Sequence, residues 1–154
     1  MDATALVEAA RHALAHARGA GDVAEEAWQA QALAEAVGGH LSLYGPAELK
    51  DAALSLGETA GRACAGLHRH HAGARGCPVR AARLSRMRDP AGALRALDAL
   101  LAEAGAALLA VACALEDEQA HAGCVDVVDA VSESREEVAR LLGRCGRPVL
   151  GRAG

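Results

Sequence analysis

Apolar positions recur every three or four residues along most of the chain, and strict two-residue alternation is nowhere sustained. That period belongs to amphipathic helices. The first helix is predicted from a cap at Asp2 to about Arg18, with Leu6, Ala10, Ala13, Leu14 and Ala17 on one face and Gly19 and Gly21 as its stop. A second opens at Asp22, with Glu25 three residues on as in a capping box, and carries Val23, Ala27, Ala30, Ala34 and Val37 until Gly38-Gly39 ends it. Pro46 fits the first position of a third helix. The seam of this third helix is Leu49, Ala53, Leu56, Ala60, Ala63 and Leu67, and its polar stripe is Asp51, Ser55, Glu58, Arg62 and Arg69. A short helix is expected over Val79 to Arg88. Asp89-Pro90 then starts a long helix in which Leu94, Leu97, Leu101, Ala104, Leu108, Val111 and Leu115 keep the repeat.

This long helix carries Arg95, Asp98 and Glu103 in its first half and no charge from Ala104 to Leu115. A helix without a polar face is one surrounded on all sides, so the centre of the bundle is its expected place. After the acidic break at 116–118, a last helix runs to about Arg144 through Cys124, Val128, Val131, Val138 and Leu142. The architecture that follows is an all-α, up-and-down antiparallel bundle of five or six helices, a single domain over 1–145 with a frayed tail at 146–154. Most seam positions are alanine, so the helices must approach closely to recover dispersion. Gly57 and Gly61, one turn apart, suit that closeness.

Composition supports the same picture. Isoleucine, phenylalanine and asparagine are absent, and Lys50 is the only lysine beside fifteen arginines. The missing residues have AT-rich codons, so the bias speaks of a GC-rich genome before any function. Strand-forming side chains are scarce. The five cysteines, Cys64, Cys77, Cys113, Cys124 and Cys145, are odd in number and form no CxxC pair, the pattern of reduced thiols in a cytoplasmic protein. No signal-peptide pattern opens the chain. The twelve-residue charge-free run from Ala104 to Leu115 is shorter than the roughly 20 residues of a membrane span.

A net charge of −4 lacks the global positive field of a nucleic-acid binder. It also conceals blocks: residues 1–58 sum to −6, 59–88 to +7, 89–134 to −8 and 135–154 to +3. The simplest use of such blocks is pairing within the bundle, which fixes helix neighbours. The alternative is an anionic partner docked on Arg80, Arg83 and Arg86, whose spacing lets them share a helical face.

The candidate chemistry is sparse. GLHRHHAGARGC gathers His68, His70, His71 and Cys77, but a structural zinc site uses two close pairs held apart by a structured segment, and here there is one cluster. Histidine and arginine at a helix C-terminus satisfy its last carbonyls and its dipole without any metal. Glu118 and His121 spell one ExxH, where a di-iron bundle needs two. Glu8, His12 and His16 share a stripe of the first helix at the edge of its alanine face. No cofactor-binding or catalytic motif appears, although an acid or base assembled from distant residues would leave no pattern. Trp28 and Tyr44 are the only aromatic residues. Trp28 lies about 100° from the seam of its helix, taking 100° per residue, and is the candidate anchor of a self- or partner interface.

The stretches ARHALAHAR, AWQAQALAEAVGGHLSLYGPAEL and RDPAGALRAL resemble an uncharacterised family of small helical proteins from GC-rich actinobacteria. The resemblance implies a cytoplasmic all-helical protein and carries over no catalytic residue. The expected function is a non-enzymatic interaction module without a cofactor, self-associating as a homodimer or binding a protein partner. The alternative is metal or anion binding by segment 62–88.

Overall fold

Asp2 starts the first helix, its carboxylate accepting the Thr4 N–H at 3.2 Å, and Ala3–Ala15 form α1. The glycine expected to stop it is the point of reversal: Gly19 has φ +79°, a left-handed conformation natural to a residue without Cβ. The next helix, α2 (Gly19–Tyr44), begins there, three residues before the expected Asp22, whose carboxylate instead accepts the Arg18 N–H at 3.1 Å. The remaining helices are α3 (Lys50–His70), α4 (Pro90–Ala114) and α5 (Glu118–Cys145). The computed structural model describes residues 1–70 and 79–146, with the backbone alone at 68–70. Asp89 caps α4 through the Gly92 N–H at 3.0 Å, with Pro90 at its first turn, and Asp117 caps α5 through the Gln119 N–H at 3.1 Å.

The six seam residues predicted for α3 are all buried. On α5, Cys124, Val131 and Val138 are buried as expected, but Val127 and Leu141 sit deeper than Val128 and Leu142, a small rotation of the predicted stripe.

Four helices form a ring in the order α2, α3, α5, α4, and α1 lies against α2 and α4. Gly38 meets Gly57 while Trp28 meets Cys64, so α2 and α3 are antiparallel. Pairs Asp98–Arg135 and Ala112–His121 give the same result for α4 and α5. Glu48–Arg144 and the groove joining Leu67 to Asp126 give it for α3 and α5. The result is an all-α bundle in which neighbouring helices of the ring are antiparallel. Across one diagonal, Ser134 donates to Gln31 Oε1 at 2.8 Å in the core. Across the other, the backbones of α3 and α4 stay apart, with no Cα pair within 8 Å among the described residues.

Three features depart from the sequence reading, each for a tertiary reason. First, α2 runs through Gly38-Gly39 to Tyr44. A Cβ on Gly38 would lie 2.6 Å from Gly57 N and 2.7 Å from Ala53 O, so glycine is there for the approach of α3 and not to end a helix. Second, the predicted helix over Val79–Arg88 is only a 3-10 turn, Arg80–Arg83. Beyond it the chain extends, because its backbone groups pair with the first residues: Ser85 N–H with Met1 O at 3.1 Å, Ala3 N–H with Arg86 O at 3.0 Å, and Arg88 N–H with Asp2 Oδ1 at 3.0 Å. The Arg88 N–H contributes most to holding the Asp2 carboxyl below its usual value, burial opposes it, and the Thr4 N–H and the charges of Arg86 and Arg88 add to the lowering.

Third, the charge-free half of α4 is not surrounded. Its helix α1 neighbour ends at Ala15, and the last ion pair between them is Arg11–Glu103 at 2.6 Å. Beyond that level Leu108 and Ala112 remain core, while Leu109 is 51% exposed and Ala106, Ala110 and Cys113 face outward. The whole of α4, 25 residues, is long and apolar enough by length and composition to cross a membrane, although its charge-free run alone is not. In this fold its inner leucines pack the bundle core.

Candidate functional site

Where α2 and α3 cross, small residues bring the two backbones together and leave a shallow groove on the outer surface. The groove is lined by Glu35, Gly39, Leu54, Gly57, Glu58 and Gly61, with buried Ala53 at its floor. Gly39 is open to the outside: a Cβ there would meet nothing within 4 Å. Above it, one turn further along α2, Leu43 is 75% exposed, and the adjoining Tyr44 is 76% exposed with its ring centroid 5.0 Å from that of His40. Leu54, 45% exposed, stands on the facing edge of the groove. Scattered exposed leucines are ordinary on a protein surface. Leu54 lines the groove and Leu43 continues the stripe of Gly39 one turn on, and exposed apolar side chains grouped in this way are characteristic of contact surfaces.

Two charges frame this face. Lys50 and Glu58 lie four residues either side of Leu54 on one stripe of α3; both are exposed, and neither takes part in an ion pair among the described residues. Other charges of the molecule are engaged across elements. Arg80 makes a bidentate bond to Glu26 (2.9 Å from Nη2), Arg11 bonds Glu103, and Arg135 bonds Asp98 at 3.0 Å. The opposed charge blocks of the sequence are therefore joined in part within the bundle itself.

The residues singled out from the sequence fall in separate places. Tyr44 is exposed at the end of α2, next to Leu43 in the chain, but does not line the groove. Neither does Trp28: it is half-buried and packed against the core, and its backbone oxygen lies 3.9 Å from Cys64 Sγ. Arg80, Arg83 and Arg86 share no helical face, since the segment is a single 3-10 turn followed by extended chain. Arg80 is held by Glu26 and its N–H donates to Gln29 Oε1 at 3.0 Å, while Arg83 and Arg86 are exposed. Leu43 and Leu54 were missed. The signal was present at Leu54, an apolar residue set inside the polar stripe of Asp51, Ser55 and Glu58, but a core-seeking seam passes over it.

No group of three or more histidine, cysteine or acidic side chains able to hold a metal occurs among the described residues. His12 and His16 stack with ring centroids 4.3 Å apart, and His16 Nδ1 lies 2.8 Å from the His12 carbonyl. His121 Nδ1 lies 2.9 Å from the Ala112 carbonyl oxygen, tying the start of α5 to the end of α4. His71 and Cys77, and the side chains of His68 and His70, lie outside the described residues.

Burial pushes the Cys64 thiol up to about 12, with the nearby Glu35 carboxylate adding to the effect, and burial also raises Cys124 and Cys145. A thiol so held is protonated and unreactive at neutral pH. These residues offer packing and contact and no assembled acid–base pair.

No curated protein and no solved structure matches this chain. A family model does match it from residue 1 to residue 144, through the last helix, and the chain accordingly belongs to that family of unknown function (DUF6099).

Proposed function

We propose that this chain is a non-enzymatic helical interaction module that self-associates through the outer face of α2 and α3. The observation that carries the reading is the pair Leu43 and Leu54, held exposed beside the glycine-lined groove. Keeping such side chains in water is unfavourable by about 25 cal/mol for each Å² of apolar surface, and covering them relieves that cost. Specific stable interfaces bury about 1,200–2,000 Å² in total, and a face two helices wide belongs at the lower end of that range, which points to a weak, reversible complex. Protonated, buried thiols suit the reducing cytoplasm expected from the cysteine pattern.

Sedimentation of the intact chain from about 1 µM to about 1 mM, the span of weak affinities, tests the reading. Concentration-dependent association is expected, and Leu54→Glu should abolish it while leaving the helical circular dichroism unchanged. A chain that stays monomeric throughout, or a dimer that tolerates Leu54→Glu, overturns it.

A further inference from the structure

Resting on that reading, we infer that the partner is a second copy of this chain, related by a two-fold axis crossing the α2–α3 face at the level of Leu54. The axis sets α3 antiparallel to the partner's α3, and Lys50 of each copy meets the partner's Glu58. A self-complementary contact between identical chains requires the two-fold axis to lie in the plane of the interface. With the axis across the helix, every α3 residue faces the one equally far on the other side of the centre. Lys50 and Glu58 are each four residues from Leu54, on the same exposed stripe, so the operation superposes opposite charges twice. With the axis along the helix, the pairing would be parallel. Lys50 would then meet the partner's Lys50 and Glu58 the partner's Glu58, an arrangement that like charges oppose.

The same operation is satisfied on α2 without further adjustment. Gly38 abuts Gly57, three residues below Leu54, and the helices are antiparallel, so the level of Leu54 falls near position 41 of α2. Leu43, two residues above that level, then lies over the residue two below it in the other copy, the partner's Gly39. That glycine is the open one, with nothing within 4 Å of where its Cβ would be. The most exposed leucine among the described residues thus stands opposite a backbone position with open space above it, while Leu54 packs against the partner's Leu54. Rim ion pairs contribute little affinity by themselves but choose orientation, and apolar packing supplies the rest.

Charge exchange tests the arrangement on the full-length chain, with circular dichroism confirming that each variant folds; both positions are exposed on a helix. Lys50→Glu and Glu58→Lys should each raise the dissociation constant about tenfold, and the double exchange should restore it to within about threefold. Mixing the two single variants sets acids at both positions of one copy against bases at both positions of the other, and the mixed dimer should form in preference to either homodimer. Association that Leu54→Glu abolishes but that neither charge variant weakens, with no preference for the mixed dimer, overturns this arrangement and leaves the self-association reading standing. A monomeric wild-type chain overturns both.

Discussion

Hairpin α2–α3 closes backbone on backbone: Gly38 leaves no space for a single added carbon, and Gly57 lies directly across from it. Hairpin α4–α5 closes through side chains, a Cβ added at Gly105 lying at an ordinary 3.5 Å from the Val131 methyl, and its far end shows leucine and alanine to solvent. Both hairpins are rich in alanine and glycine, and composition does not separate them. The difference lies in what stands opposite each small residue. In one case its smallness sets the distance between two helices, and in the other it only fails to cover a neighbour.

The sharpest way to break this comparison is one methyl group placed in each hairpin. Gly38→Ala should lose about 3 kcal/mol and lower Tm by about 10 °C, because backbone and not a flexible side chain must move. Gly105→Ala should leave stability unchanged or raise it by up to about 1 kcal/mol, the intrinsic helix preference of alanine. Thermal melts that rank the two in the opposite order would dissolve the distinction.

Neighbouring leucines on α4 give the next contrast. Leu108→Ala removes a core side chain and should cost about 2–4 kcal/mol in urea unfolding, whereas Leu109→Ala should stay within about 0.5 kcal/mol. Where the ring closes across its diagonal, Ser134→Ala strips Gln31 Oε1 of its donor in a fully buried site and should cost about 1–2 kcal/mol. Adding Gln31→Met should recover most of that loss, since the amide already has a buried Nε2 without a partner.

The smallest effect separates thiols of the two hairpins. At pH 8, iodoacetamide should label exposed Cys113 and spare buried Cys64, as read by mass spectrometry. The raised Cys64 value also has a stability consequence. Below pH 9 the thiol is protonated in both states; between pH 9 and about 12 the unfolded chain loses its proton first, so stability should decline across that window. Equal labelling of the two cysteines at pH 8 in the folded chain would mean that Cys64 is not enclosed by α2 and α3.

Local signals were legible in the sequence. Asp2, Asp89-Pro90 and the α3 seam from Leu49 to Leu67 each declare themselves within a few residues, because capping and amphipathicity act over one or two turns. Gly38 was misread for the converse reason: within its own helix it resembles a stop, and only the arrival of Gly57 explains it. The same holds for Leu84–Arg88, whose extended form depends on residues at the other end of the chain. It holds too for Leu109, whose exposure depends on which sides of α4 the other helices cover. Beside the candidate site, Tyr44 could be found by its rarity. Leu43 and Leu54 became visible only when the helices were paired.

The pairing of Met1–Ala3 with Ser85–Arg88, and of Arg11 with Glu103, sets an order on folding during synthesis. The segments of α2 and α3 can zip together as soon as they leave the ribosome, since each finds its match in the other. The helix α1 is made before either and can meet α2 at once, yet its contacts with α4 must wait until some ninety later residues have emerged. In the growing polypeptide, α1 is therefore made before α4 and completes its docking only after it.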